Sequence, residues 1–151
     1  MRKLLLTAAI VLAGCGAQGA GPSSVVATSG PYHAQASPAR LAPGGSVQVM
    51  LTVTGPIDYE VGCVQTLRIW ALDARGAQVW EERVPAIACL AYSHKVLAAG
   101  ETARFRDEWP TSAKLAPGSY TIHGLFMTVL PLGVAARVRG NLPPLTVTLA
   151  S

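Results

Sequence analysis

The stretch LAPGGSVQVMLTVTG, residues 41–55, decides the fold. It opens on a Pro-Gly-Gly turn and then alternates strictly. Val47, Val49, Leu51 and Val53 fall on one side of an extended chain, and Gln48, Met50, Thr52 and Thr54 on the other. Side chains repeat every two residues along a β-strand, so this pattern predicts a strand with one face buried and one face wet.

The same scheme recurs downstream. TLRIWALDARGAQVWEERV, residues 66–84, holds two strand-like runs separated by Asp73-Ala74-Arg75-Gly76, a hairpin turn whose glycine supplies positive φ. VLAAGETARFRDEW, residues 96–109, is a turn followed by alternation, with Thr102, Arg104 and Arg106 set against Ala103 and Phe105. LAPGSYTIHGLFMTVL, residues 115–130, repeats the turn, and LPPLTVTLAS closes the chain with a short strand. The recurring LxPG or LAAG phrase reads as one turn chemistry used three times, because the strands that follow share no further pattern. Residues 129–139 are ambiguous between strand, loop and one helical turn. No helical stretch stands out after the N-terminal segment. Seven or eight short strands with Pro and Gly at the joints predict an all-β, immunoglobulin-like antiparallel β-sandwich.

The N-terminus carries a different message. Arg2 and Lys3 precede the apolar run Leu4–Ala13, which ends in Leu12-Ala13-Gly14-Cys15. A run of ten residues is too short to span a bilayer, which takes about 20, and has the length of a signal-peptide core. The tetrapeptide resembles a bacterial lipobox. Residues 1–14 therefore read as a lipoprotein signal peptide, with Cys15 as the lipid-attachment residue and the membrane as its anchor. Residues 15–40 read as the lipidated cysteine and a flexible Gly/Ala/Ser/Pro linker with a possible first strand at 25–28, and residues 41–151 as the sandwich. Removing 14 of 151 residues leaves 137, enough for one domain. It also lowers the formal charge from +4 to +2, with no basic cluster left, which speaks against nucleic acid.

Outside the cytosol, the remaining Cys63 and Cys89 read as a disulfide, with two buried thiols as the alternative. Closing that loop restricts the unfolded chain by roughly 3.5 kcal/mol in the chain-entropy description. His33, His94 and His123 lie on separate segments without metal-ligand spacing, so no metal and no cofactor are expected. There is no GxSxG elbow and no phosphate-binding loop. Glu81-Glu82 and Asp107-Glu108 are adjacent pairs, and adjacent strand residues point to opposite faces, which does not suit paired-carboxylate catalysis. These read as solvated charges, and the chain is not expected to be an enzyme.

The aromatic residues are the other candidates. Trp80 and Trp109 close alternating runs and read as core. Trp70 directly follows Ile69, so one of the two faces outward. An outward aromatic can stack on a sugar ring or anchor a protein interface. In the strand after Gly118, Tyr120, Ile122, Gly124 and Phe126 share one face and Thr121, His123 and Leu125 the other. Tyr120 follows a Pro-Gly turn, where its hydroxyl can bond back to nearby backbone while the ring packs inward. His123 then points away from the core.

In order, DARGAQVW, LAAGETARFRDEW and LAPGSYTIHGLF resemble the intracellular proteinase inhibitor family, the BsuPI-like domain. The matching positions are Asp73, Gly76, Val79 and Trp80; Leu97, Gly100, Glu101 and Trp109; and Gly118, Tyr120 and Gly124, within residues 45–128. The resemblance implies an immunoglobulin-like sandwich and, from the family's founding activity, protease inhibition. Two departures stand out: this chain reads as exported, and the segment after Trp80 carries Cys89 and only Tyr92 where the family is rich in aromatics. Pro85, Ala86, Ile87, Ala88, Cys89 and Leu90 form the candidate inhibitory loop, stiffened by the proline and a bridge at Cys89. Three functions follow. The first is a lipid-anchored envelope module holding a protein partner through loops or an edge strand. The second is an envelope proteinase inhibitor, and the third a structural or accessory lipoprotein.

Overall fold

A computed structural model describes residues 23–62, 66–83, 92–129 and 137–150. Cys15, Cys63, Cys89 and the candidate loop Pro85–Leu90 lie outside the described residues, as does the signal-peptide segment. The described residues form strands and connecting turns without a helix, arranged as an all-β sandwich of two sheets.

The smaller sheet has the order β1 (Val25–Ser29), β2 (Tyr32–Ser37), β4 (Ser46–Thr54) and β9 (Thr102–Pro110), all antiparallel. The larger sheet is organised by β10 (Gly118–Val129). On one side β10 pairs first with β12 (Leu145–Leu149), then with β11 (Arg137–Asn141). On the other it pairs with β6 (Leu67–Leu72) and, further along, with β5 (Ile57–Gly62). Beyond these lie β7 (Gln78–Glu81) beside β6 and β8 (Tyr92–Leu97) beside β5. The two-residue β3 (Arg40–Leu41) adds to β12 in parallel, the one parallel pair among the described strands.

The described residues thus hold twelve strand segments where the sequence pointed to seven or eight. The difference is interruption: β5 and β6 run in the same direction along one side of β10, and β11 and β12 divide its other side. The sandwich also begins earlier than expected. Residues 25–40, assigned to the linker apart from a possible strand at 25–28, contribute β1, β2 and the start of β3. Ala34 and Ala36 of β2 are fully buried.

Periodicity becomes packing in β4, where Val47, Val49, Leu51 and Val53 are buried against the facing sheet. They meet Ile69, Ala71, Ile122, Leu145, Val147 and Leu149 from the larger sheet. Phe105, Phe126, Tyr59 and Tyr32 cluster toward one end, with Phe105 and Phe126 centroids 4.9 Å apart and Tyr59 edge-on to Phe105 at 5.3 Å. Such tilted and edge-on pairs suit the aromatic quadrupole. Trp109, fully buried, packs on Tyr120 at 5.7 Å elsewhere in the interlayer. Trp80, expected in the core, is only half-buried and packs against its margin from the edge strand β7.

The family-like positions have local structural jobs. Asp73 Oδ1 accepts the backbone N–H groups of Arg75 and Ala77 at 2.8 and 2.9 Å, and Gly76 takes φ +81° to close the hairpin. Gly100 takes φ +84°, and Glu101 Oε2 accepts the N–H of Ala98 at 2.8 Å, so the glutamate side chain seals its own turn. Gly44, at φ +90°, uses the same kind of turn with Gly45 bonded back to Ala42. The third LxPG segment differs: there the Tyr120 hydroxyl donates to the Ala116 carbonyl at 2.7 Å while the ring stays buried.

Candidate functional site

In the larger sheet, the residues that alternate with the core residues face solvent, and no described element covers them. β6 buries Leu67, Ile69 and Ala71, which turns Arg68, Trp70 and Leu72 outward. β10 buries Tyr120, Ile122, Gly124 and Phe126, which turns Thr121, His123 and Leu125 outward. Register then places these side chains in rows across the sheet. Glu81, Trp70 and His123 are aligned on β7, β6 and β10. One row on, Gln78, Leu72, Thr121 and Thr146 are aligned across four strands. On the other side, Arg68 lies opposite Leu125, which lies opposite Asn141.

The middle row carries the rings. Trp70 and His123 are cross-strand neighbours with centroids 5.7 Å apart and planes within 14° of parallel. Each is half-buried. Of Ile69 and Trp70, it is therefore the tryptophan that faces outward, and His123 does point away from the core. Beside the rings, the Arg68 guanidinium is ion-paired with the Glu81 carboxylate, whose other oxygen accepts the Gln78 side-chain N–H at 3.0 Å. Guanidinium, carboxylate and carboxamide thus form one hydrogen-bonded cluster that bridges three neighbouring rows, in which the Arg68 and Glu81 charges offset each other. This arrangement holds no activated nucleophile. What it offers is ring surface next to fixed planar hydrogen-bonding groups, the equipment of a binding face.

A second polar grouping lies inside the flank of the sandwich. β9 turns Phe105, Asp107 and Trp109 inward and Arg104, Arg106 and Glu108 outward. Glu82, just past β7, is held by its N–H bonding to the Ile69 carbonyl, and its carboxyl meets that of Asp107. Burial, the hydrogen bond with Glu82, and the nearby Glu82 and Glu108 charges push the Asp107 carboxyl up to about 7, against the lowering effect of the Glu108 backbone N–H at 2.7 Å. With both carboxyls ionised, Asp107 Oδ2 faces another acceptor. With one shared proton it gains a partner. Glu108, facing solvent, is shifted the other way by hydrogen bonds from Ser46 and Gln48.

The expectation for the acidic pairs therefore needs correcting for Asp107, which is not a solvated strand-end charge. Neighbours along a strand do point apart, as expected. The inward members of two different pairs then meet across the sandwich, which no local spacing announces. Nor did the sequence reveal the Trp70–His123 stack, whose partners are 53 positions apart. The family-like residues Asp73, Gly76, Gly100, Glu101, Gly118 and Tyr120 are not gathered into a site; they serve turns, and Trp109 serves the core.

The sequence matches no protein-family model and no characterised protein. Among solved structures, the fold is similar to that in a crystal structure of the C-terminal domain of wzt, with a TM-score of 0.51 and 12% sequence identity, covering 87% of this chain and 80% of that one. At that identity the likeness concerns the fold alone.

Proposed function

We propose that this chain is a binding module, anchored by lipid on Cys15 outside the cytoplasm of a bacterial cell, whose working surface is the outer face of the larger sheet. The observation that carries the reading is the stacked Trp70–His123 pair on the solvent side of a sheet. Large rings on an outer face cost solvation that core positions would recover, and half-exposed aromatics concentrate where proteins hold ligands. This moves the expected contact from loops or an edge strand to a sheet face. The lipobox-like LAGC and the short apolar run before it support the anchoring. The resemblance to BsuPI-like domains fits an immunoglobulin-like sandwich. Inhibition of a protease rests on that resemblance and on residues 85–90, outside the described structure.

The test separates anchoring from binding. Wild-type protein is expected in the membrane fraction, and Cys15→Ser is expected to be released or left unprocessed. Trp70→Ala is expected to abolish retention of envelope material while the melting temperature stays within a few degrees. Arg104→Ala, on the outer face of the smaller sheet, is expected to leave retention intact. Retention that survives Trp70→Ala would overturn the assignment of the face.

A further inference from the structure

The polar groups inside the sandwich and those on its outer face meet at the end of β7. Glu81 and Glu82 are consecutive there and point to opposite sides. The Glu81 carboxylate, opposite Trp70 in register, holds the Arg68 guanidinium and the Gln78 side chain on the outer face. The Glu82 carboxyl meets that of Asp107 from β9. Asp107 Oδ2 is buried, and no donor among the described residues reaches it until one of the two acids carries a proton. The charges acting on Asp107 are those of Glu82 and Glu108, both of its own sign. Val49 lies opposite it on β4, Phe105 and Trp109 flank it on β9, and β6 turns Leu67, Ile69 and Ala71 inward, so the packed strands bring no cation. Arg83 and Arg106, the nearest cations in sequence, are exposed to solvent.

The two sides of this contact are held unequally. β9 is fixed by nine consecutive pairs with β4, from Thr102 to Pro110. β7 has four residues and, among the described strands, pairs with β6 alone, through a register shift at Ala71 and Leu72. Its last backbone bond, from the Glu82 N–H to the Ile69 carbonyl, is 3.3 Å, long for an amide. Two ionised carboxyls in contact repel where water screens them only in part, and the side with fewer bonds is the one that moves. Glu81 shares its backbone with Glu82, so its carboxylate moves as well. We propose that the Glu82–Asp107 pair is a proton-operated latch on the end of β7, closed while the two acids share a proton and opened when both ionise, its opening loosening the Glu81–Arg68–Gln78 cluster beside Trp70. Burial and the neighbouring acids raise the Asp107 carboxyl to about 7, so closure is favoured below that value and lost as pH rises through it. That the cluster belongs to a working surface rests on the reading above; the latch itself needs no ligand.

The experiment uses isotope-labelled full-length protein in detergent, with no ligand added. Amide hydrogen exchange is followed by NMR between about pH 5 and about pH 8, with the chemical exchange rate divided out. Exchange of the Glu82 amide is expected to rise roughly tenfold over this range, while the Val49 and Leu51 amides of β4 stay as they were. The Gln78 side-chain amide and the Arg68 Nε–H signals are expected to shift with the same midpoint. Asp107→Asn and Glu82→Gln should each hold all three readouts at their low-pH values throughout. Tyr120→Phe, which removes a hydrogen bond elsewhere, should keep the wild-type response. A Glu82 amide that ignores pH overturns the latch, and so does a rise shared equally by the β4 amides, which would be global unfolding. Outer signals whose shift persists in Asp107→Asn would belong to His123, stacked on Trp70, and would overturn the link between the two faces. Because nothing is bound in these measurements, failure of the latch leaves the Trp70 retention test standing, and loss of that retention leaves the latch intact.

Discussion

Replacing Asp107 with asparagine isolates the carboxyl pair in the flank of the sandwich. In the folded chain Asp107 keeps its proton up to about pH 7, whereas its ordinary value is 3.8. Between these values the native state holds a proton that the unfolded chain has released. Stability therefore falls as pH rises through this window and is flat above it. Fully enclosed, a shift of this size would correspond to about 4 kcal/mol. Asp107 is only half-buried and shares its proton with Glu82, so solvent screening and relaxation reduce the expected effect to about 1–2 kcal/mol.

Asparagine imitates the protonated acid at every pH and can donate to the Glu82 carboxylate. Near pH 4 the variant is expected to match wild type. At pH 8 it is expected to be more stable by about 1–2 kcal/mol, the amount wild type has lost. Glu82→Gln should flatten the same part of the curve. Glu108, whose value is lowered, contributes with the opposite sign: its share is present at neutral pH and lost on acidification. Urea midpoints at pH 4 to 8 measure the Asp107 and Glu82 effects, and points below pH 4 the Glu108 share. A wild-type minus variant difference that stays constant with pH would refute the shared-proton account.

Other expectations are more direct. Trp109→Ala empties a fully buried position between the sheets and should cost about 3–5 kcal/mol in urea unfolding, enough to unfold much of the population near body temperature. Tyr120→Phe removes the hydroxyl bond to Ala116 while keeping the ring, and should cost about 1 kcal/mol by the same assay. Gly55→Ala should destabilise more than an ordinary loop change, because a Cβ there runs into the backbone carbonyls of Leu97 and Ala98; a melting temperature equal to wild type would contradict the packing of that turn. Gly62, the residue before Cys63, and Tyr92, three residues after Cys89, are cross-strand partners. Non-reducing peptide mapping is expected to recover Cys63 and Cys89 as one bridged pair, and reduction to lower stability by roughly 3.5 kcal/mol.

What could be read from the chain was what the backbone decides locally. The valines of β4 and the arginines of β9 fall on opposite sides because consecutive strand residues must, and Asp73 and Gly76 make a turn with their own atoms. Tyr120 was legible for the same reason, since its hydroxyl reaches a carbonyl only four residues away. β2 was missed because its inward residues, Ala34 and Ala36, are too small to raise the hydrophobic signal of a strand. The carboxyl pair and the ring stack depend on which strands become neighbours and in what register. Glu82 meets Asp107 only once β7 and β9 flank the same edge of the interlayer, and shifting β6 against β10 by one residue would bury Trp70 and expose Ile69. Sequence alone could say that one of that pair faces out, but not beside what.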